Sequence, residues 1–240
     1  DLNLSSINMT IAIIGAMEPE VAILKSQLSN PSETQIANFT FYRGELAGQD
    51  VVLVQSGIGK VAATVATTLI IQEFSPKYVI NTGSAGGFDA DLKVGDIAVG
   101  DKLVHHDVDV TAFNYEMGQV PNMPARFEAD AHLVELVQTC IGQLDGVNSK
   151  VGLIATGDSF ICDPNRVEQM RANFPDMLAV EMEGAAIAQA CYQLDTPFLV
   201  IRSLSDIAGK ESPMSFDAYL EVASKNSSRL VLDILSKLND

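Results

Sequence analysis

Six short segments combine glycines, hydroxyls and acids in a chain that is otherwise poor in charge. They are Gly15-Ala16-Met17-Glu18-Pro19-Glu20, Ser56-Gly57-Ile58-Gly59, Thr82-Gly83-Ser84-Ala85-Gly86-Gly87, Gly157-Asp158-Ser159-Phe160, Glu181-Met182-Glu183 and Ser203-Leu204-Ser205-Asp206. Each lies where an apolar, β-branched run ends, and in open α/β sheets ligands sit outside the carboxyl ends of the strands. Glycine at one strand end is often only a turn, but six such exits together point to a pocket. The acids among them are Glu18, Glu20, Asp158, Glu181, Glu183 and Asp206. Two or three carboxyls converging on an apolar pocket suit cleavage of a glycosidic bond. One stays ionised to activate water, and another is held protonated by desolvation to assist the leaving group, through an oxocarbenium-like transition state. Glu18 reads as a helix N-terminal charge favoured by the macrodipole, and Glu181 reads equally well as such a charge or as a site residue.

Other chemistries fit less well. Gly57-Ile58-Gly59-Lys60-Val61-Ala62 matches the dinucleotide pattern G-x-G-x-x-A, but the next strand ends in Asn81 where a ribose-binding acid belongs. The Gly59-Lys60 pair lacks both the first glycine and the hydroxyl of a P-loop, with Val54 and Val61 in those places. Thr82-Gly83-Ser84-Ala85-Gly86 resembles a nucleophile elbow, yet the last histidine is His132, too early for that triad. His105 and His106 are adjacent on a strand and point to opposite faces, so sharing one metal ion is unfavourable. No metal site and no cofactor is expected.

The elements that must position these segments alternate along the chain. Strands are expected at Thr10–Ile14, Tyr78–Asn81, Asp96–His105, Val151–Thr156, Leu178–Val180 and Pro197–Ser203, and a hairpin joins Phe39–Leu46 to Val51–Gln55 across Gly48-Gln49-Asp50. Helices are expected at Glu18–Leu28, Lys60–Phe74, Ala131–Leu144 and Phe216–Leu238, with one more after each of the strands at 151 and 178. Segment 107–128, with Phe113, Tyr115, Pro121 and Pro124, is the longest irregular stretch. The fold class is therefore α/β, one domain over residues 9–240 with a mainly parallel sheet between helices. Residues 1–8 precede Met9 and read as a tail or cloning remnant.

Composition narrows the partners. Apolar residues are 47% of the 240 and charged residues 19%, below the roughly 25% usual in soluble domains, which fits a sheet covered on both faces or a subunit surface. The net charge of −16 argues against nucleic acid and anionic membrane, both of which need clustered cations. The odd, scattered Cys140, Cys162 and Cys191 give no disulfide framework, which makes a reducing cytoplasm the expected location.

Taken in order, Ile13-Ile14-Gly15-Ala16-Met17-Glu18-Pro19-Glu20, Ser56 to Ala63, Asn81 to Gly87, Val180-Glu181-Met182-Glu183 and Arg202-Ser203-Leu204-Ser205-Asp206 closely resemble bacterial 5′-methylthioadenosine/S-adenosylhomocysteine nucleosidases. That family belongs to the nucleoside phosphorylase superfamily. The resemblance implies a three-layer α/β/α sandwich with a central mixed sheet, a homodimer, and an N-glycosyl hydrolase that releases adenine in methionine salvage. It implies that Glu20 activates the attacking water and that Asp206, supported by Ser205, protonates adenine N7. Glu183 would bind the ribose hydroxyls beside Met182, with Glu181 also in the pocket and Ser84 and Arg202 near ribose and water. Phe160 would stack on adenine, and the backbone of Ile161 would read its Watson–Crick edge. Met17, Ile58 and Phe216 would line the 5′-alkylthio pocket, completed by Val110, Phe113, Tyr115 and Pro121 of a second subunit. Two departures are mild: Pro19 stands where an acid is common, and Cys162 follows Ile161.

The rival within the superfamily is a phosphate-dependent purine nucleoside or methylthioadenosine phosphorylase. Such enzymes need cations for phosphate, and Asn81 stands where a resembling phosphorylase has arginine, leaving Arg43 and Arg202 as the only strand-associated arginines nearby. Water is the expected nucleophile. A non-catalytic nucleoside sensor would not need both Glu20 and Asp206, and a dehydrogenase rests on the weak glycine pattern alone.

Overall fold

A computed structural model describes residues 9–210 and 212–238; the expected tail, residues 1–8, lies outside them. The chain alternates as β1 (Thr10–Gly15), α1 (Glu18–Gln27), β2 (Ser29–Ile36), β3 (Phe39–Leu46), β4 (Gln49–Gln55), α2 (Lys60–Phe74), β5 (Tyr78–Gly87) and β6 (Ile97–His105). There follow β7 (Phe127–Glu128), α3 (Ala131–Cys140), β8 (Ser149–Thr156), α4 (Pro164–Asn173), β9 (Met177–Glu181), α5 (Gly184–Gln193), β10 (Phe198–Ile207) and α6 (Ser212–Lys237).

The sheet order is β10-β6-β8-β9-β5-β1-β4-β3-β2, and an additional β10–β5 pairing closes five of these strands into a ring. The sheet is mixed: β1–β4, β1–β5, β5–β10, β6–β8 and β8–β9 run parallel, and the other pairs antiparallel. Strand β1 explains the three layers. Alternate residues of a strand face opposite sides. Ile11 and Ile13 pack into one cluster with Leu24 of α1, Leu133 of α3 and Ile234 of α6, while Ala12 and Ile14 pack into another with Ala66 of α2 and Ala188 of α5. Every residue of β1 is buried, as the unbroken apolar run requires. A third cluster, including Phe88, Ile161, Val167 and Phe174, lies under α4.

The hairpin is made by Ala47 and Gly48, both at positive φ (49° and 82°), with Leu46 facing Gln49. That is the twist a two-residue turn between antiparallel strands needs. Several expected boundaries move. Strand β5 does not stop at Asn81 but continues to Gly87, buried throughout, because β10 and β9 supply ladder partners to its glycine-rich half. Strand β10 likewise runs on to Ile207. Helix α3 ends at Cys140, short of Leu144, where Ile141 turns extended and Gly142 takes φ 90°. Helix α6 begins at Ser212, a turn before Phe216. Strand β2 was not expected: it is an exposed polar edge on β3, without the alternation that burial imposes. Among the described residues no helix is long and apolar enough to cross a membrane.

Candidate active site

The strand exits converge on one cavity of about 370 Å³. Its walls include all thirteen residues of this chain expected there: Met17, Glu20, Ile58, Ser84, Phe160, Ile161, Glu181, Met182, Glu183, Arg202, Ser205, Asp206 and Phe216. Ala16, Ala85, Gly86, Ser159, Val180, Pro213 and Asp217 complete the lining. Pro213 and Asp217 carried no sequence signal, and Pro213 joins the wall because α6 starts early, at Ser212. Val110, Phe113, Tyr115 and Pro121 line no part of this cavity; they lie on the irregular segment, with Phe113 76% exposed on a single 3₁₀ turn, Thr111–Phe113.

Glu20 is the third residue of α1, with Pro19 before it in the first turn, where a missing N–H costs nothing. Its Oε1 accepts the amides of Ala16 (3.1 Å) and Met17 (2.9 Å), the latter being the reach-back half of a capping box. Its Oε2 accepts the Ser84 amide (2.7 Å) and the Ser84 hydroxyl (3.1 Å). Four donors on two oxygens form the pattern of an ionised carboxylate. The close approach needs Gly83, where a Cβ would run into the Glu20 carboxylate.

Arg202 is buried at the centre of a cluster of acids and amides. Its Nε (3.2 Å) and Nη2 (2.6 Å) donate to Asn81 Oδ1, and Nη1 donates to the Ser84 carbonyl (2.9 Å). Nη2 also lies 2.5 Å from Glu181 Oε2 and 3.3 Å from Glu183 Oε1. Asn81 is thus an orienting partner of Arg202, a role its residue type alone did not reveal. Glu181 is fully engaged: it accepts the Thr156 hydroxyl, the Glu183 amide (3.2 Å) and the Gly184 amide (2.7 Å) besides Arg202. Both sequence readings of Glu181 therefore meet, a charge at the start of α5 and a wall of the cavity, but its oxygens are occupied by the protein. Glu183 caps α5 by position, and its Oε2 accepts the Gly59 amide (2.9 Å). Burial pushes the Glu183 carboxyl well above the usual range; Arg202 opposes the rise, and Glu181 and Glu20 add to it.

Asp206 is placed by a bulge. The β10–β5 register runs Leu204 to Ala85 and then Asp206 to Gly86, leaving Ser205 as the extra residue that turns Asp206 into the cavity. Its Oδ1 accepts the Ser205 hydroxyl (3.0 Å), and Oδ2 faces Gly86, where a Cβ would stand 3.1 Å away. Burial pushes this carboxyl up to about 6, while the Ser205 and Ser212 hydroxyls pull the other way. Phe160 and Phe216 meet edge to face, ring centroids 5.7 Å apart, giving a flat apolar wall.

The decoy motifs are otherwise employed. The glycine turn at 57–59 directs its amide at Glu183. His105 bonds Gln189 (2.9 Å) and lies 3.4 Å from Lys60 Nζ, while His106 packs where a Cβ on Gly157 would collide with it; burial lowers the pKa of both. Glu18 and Asp158 do not line the cavity.

Fold and site together are those of the phosphorylase superfamily, whose family model matches residues 10–236. A 5′-methylthioadenosine/S-adenosylhomocysteine nucleosidase of Pseudoalteromonas translucida is 62% identical over 230 residues, 96% of this chain and 98% of that protein. The crystal structure of such a nucleosidase from Colwellia psychrerythraea in complex with adenine is 59% identical, with TM-score 0.95 and 96% of both chains covered. That of the Neisseria meningitidis nucleosidase in complex with methylthio-immucillin-A is 48% identical, with TM-score 0.93, 95% of this chain and 99% of that chain covered. The chain belongs to this superfamily and, within it, to the 5′-methylthioadenosine/S-adenosylhomocysteine nucleosidases.

Proposed function

We propose that this chain, one nucleosidase domain over residues 9–240, hydrolyses the N-glycosidic bond of 5′-methylthioadenosine and S-adenosylhomocysteine, releasing adenine and the 5-thio-substituted ribose. The observation that carries the reading is the presence of Glu20 and Asp206 on the wall of one cavity. Glu20 bonds Ser84 and Asp206 faces Gly86, two residues on along the extended strand β5. That separates their stations by roughly 6.5 Å. Both carboxyls thus reach the cavity from neighbouring stations of β5, which sets a base and an acid beside one substrate.

Glu20 takes a proton from this water as it attacks C1′. Asp206, whose buried setting raises its hold on a proton, gives that proton to N7, so adenine departs neutral and the bond breaks with less charge on the base. Glu183 binds the ribose hydroxyls and Arg202 holds the carboxylates in place. Phe160 stacks on the base, the Ile161 backbone reads its edge, and Met182 packs at the sugar. Met17, Ile58 and Phe216 form the apolar 5′ wall. Ile58 is 57% exposed and Phe113 76%, and exposed apolar side chains of this size suit an interface. A homodimer in which Val110, Phe113, Tyr115 and Pro121 of the second copy cover the 5′ wall satisfies both. Three free cysteines, two of them buried, are compatible with a reducing cytoplasm, where the reaction serves methionine salvage.

Phosphorolysis is the competing outcome. The one guanidinium in the cavity, Arg202, is already engaged by Asn81, Ser84, Glu181 and Glu183, which leaves no free cation there for phosphate among the described residues. Incubation with methylthioadenosine should yield 5-methylthioribose at the same rate with and without phosphate. Methylthioribose 1-phosphate as the main product would overturn the reading.

A further inference from the structure

Asp158 is an acid that the sequence marks as a candidate and the reaction leaves unused. It lies just outside the cavity, and its contacts form a closed circuit. Its Oδ1 accepts the Lys60 amide (2.8 Å), its own amide donates to Asp107 Oδ2 (3.1 Å), and Lys60 Nζ donates to Asp107 Oδ1 (2.7 Å). The Lys60 amide is the first of helix α2, and the preceding amide, Gly59, is the one on Glu183. Gly59 has no side chain to cap the helix, so Asp158 does so from another loop.

The turn that carries this amide is permissive. Gly57 and Gly59 flank Ile58 at φ 87° and 100°, a conformation that glycine enters and leaves at little cost. The direction of the Gly59 N–H is therefore fixed by what holds the turn from outside. Glu183 holds one amide and Asp158 holds the next. Asp158 is followed directly by Ser159 and Phe160 of the cavity wall, so the same circuit ties the base-side loop to the sugar-side turn.

We propose that Asp158, braced by Asp107 and Lys60, is a positioning residue for sugar recognition: it caps α2 so that the Gly59 amide stays on Glu183 and Glu183 presents its free edge to the ribose. This rests on the reading of Glu183 as the ribose-binding carboxylate.

The test compares Asp158→Ala and Asp158→Asn on methylthioadenosine and on its 2′-deoxy and 3′-deoxy counterparts. Asparagine accepts a helix-capping bond about as well as aspartate. Asp158→Ala should lose about tenfold in kcat/KM on methylthioadenosine, mainly through KM, in line with the usual cost of a lost cap. The loss should shrink to within twofold on at least one deoxy counterpart, and Asp158→Asn should stay within twofold of wild type. Glu183→Gln, run alongside, should show the same hydroxyl dependence more strongly. Equal losses for Asp158→Ala on all three substrates, or none on methylthioadenosine, while Glu183→Gln discriminates, would overturn the positioning role alone. A Glu183→Gln variant blind to the hydroxyls would overturn the ribose reading and this role with it. Should Asp158→Ala fail to fold, Lys60→Met, which deletes the bracing ion pair and the contact with His105, is held to the same substrate pattern with at least a threefold loss.

Discussion

The two ends of the cavity hold the same kind of group in opposite settings. At the sugar end Glu20, Glu181 and Glu183 crowd around one guanidinium, and each takes hydrogen bonds from backbone or hydroxyl donors as well. At the base end Asp206 stands apart, with Ser205 as its partner and burial as the dominant influence, and its pKa rises to about 6. Four donors occupy the Glu20 oxygens, whereas burial outweighs the Ser205 and Ser212 hydroxyls at Asp206, as it also outweighs Arg202 at Glu183. The fold arranges this with local devices: a helix start for Glu20, a bulge for Asp206, and a capped helix for Glu183.

The largest expected effect breaks the sugar end. Glu20→Gln keeps the shape but removes the base, and general bases contribute about 10²–10⁴-fold. Its kcat on methylthioadenosine should fall by that order, measured by adenine release, at a temperature where a thermal scan shows the variant folded. A loss under tenfold would remove Glu20 from the chemistry.

Glu181→Ala probes the framework rather than the reaction. Removing one partner of a buried ion pair costs about 3–5 kcal/mol, and here it also takes the acceptor from the Thr156 hydroxyl proton, leaving that oxygen its bond from the Ala185 amide. For a chain of this size that lowers the melting temperature by roughly 10 °C in a thermal scan. Glu181→Gln, which keeps one acceptor oxygen for either Thr156 or the Glu183 and Gly184 amides, should lose less.

A smaller effect sharpens the contrast through pH. The Asp206 carboxyl binds its proton more tightly in the folded state than the unfolded value of 3.8 allows, so the folded state carries more protons between pH 4 and 6. Its contribution to stability is full below pH 4 and is lost relative to wholly neutral behaviour as pH rises through about 6. Between pH 5 and 7 the stability of wild type relative to Asp206→Asn should therefore decline by about 1 kcal/mol in denaturant titrations. A relative stability that rises with pH would mean that Asp206 is held ionised.

How far this was legible in the sequence differs by element. The walls contributed by Met17, Glu20, Ser84, Glu183 and Asp206 were visible because glycines, hydroxyls and acids stand out against β-branched runs at strand ends. The second half of β5 was not, because Thr82-Gly83-Ser84-Ala85-Gly86-Gly87 has loop composition and becomes a strand only through ladders on both sides. The Ser205 bulge and the closure of the ring are register properties, set between strands far apart in sequence. Strand β2 is polar on both faces, so no periodicity betrays it. Asp158 was recognisable as an acid at a strand exit, but that it faces the α2 amide rather than the cavity depends on how two loops meet.

The division between the two ends is tested most directly by changing the leaving group. Adenine needs a proton to depart, whereas a nitrophenyl group on an otherwise matched riboside does not. Both substrates need the water that Glu20 activates. The ratio of kcat/KM on methylthioadenosine to that on the nitrophenyl riboside should therefore fall by about 10²-fold or more in Asp206→Asn and stay near the wild-type value in Glu20→Gln. An unchanged ratio in Asp206→Asn, with chemistry shown to be rate-limiting, would contradict the acid role and leave Asp206 as a purine-binding residue.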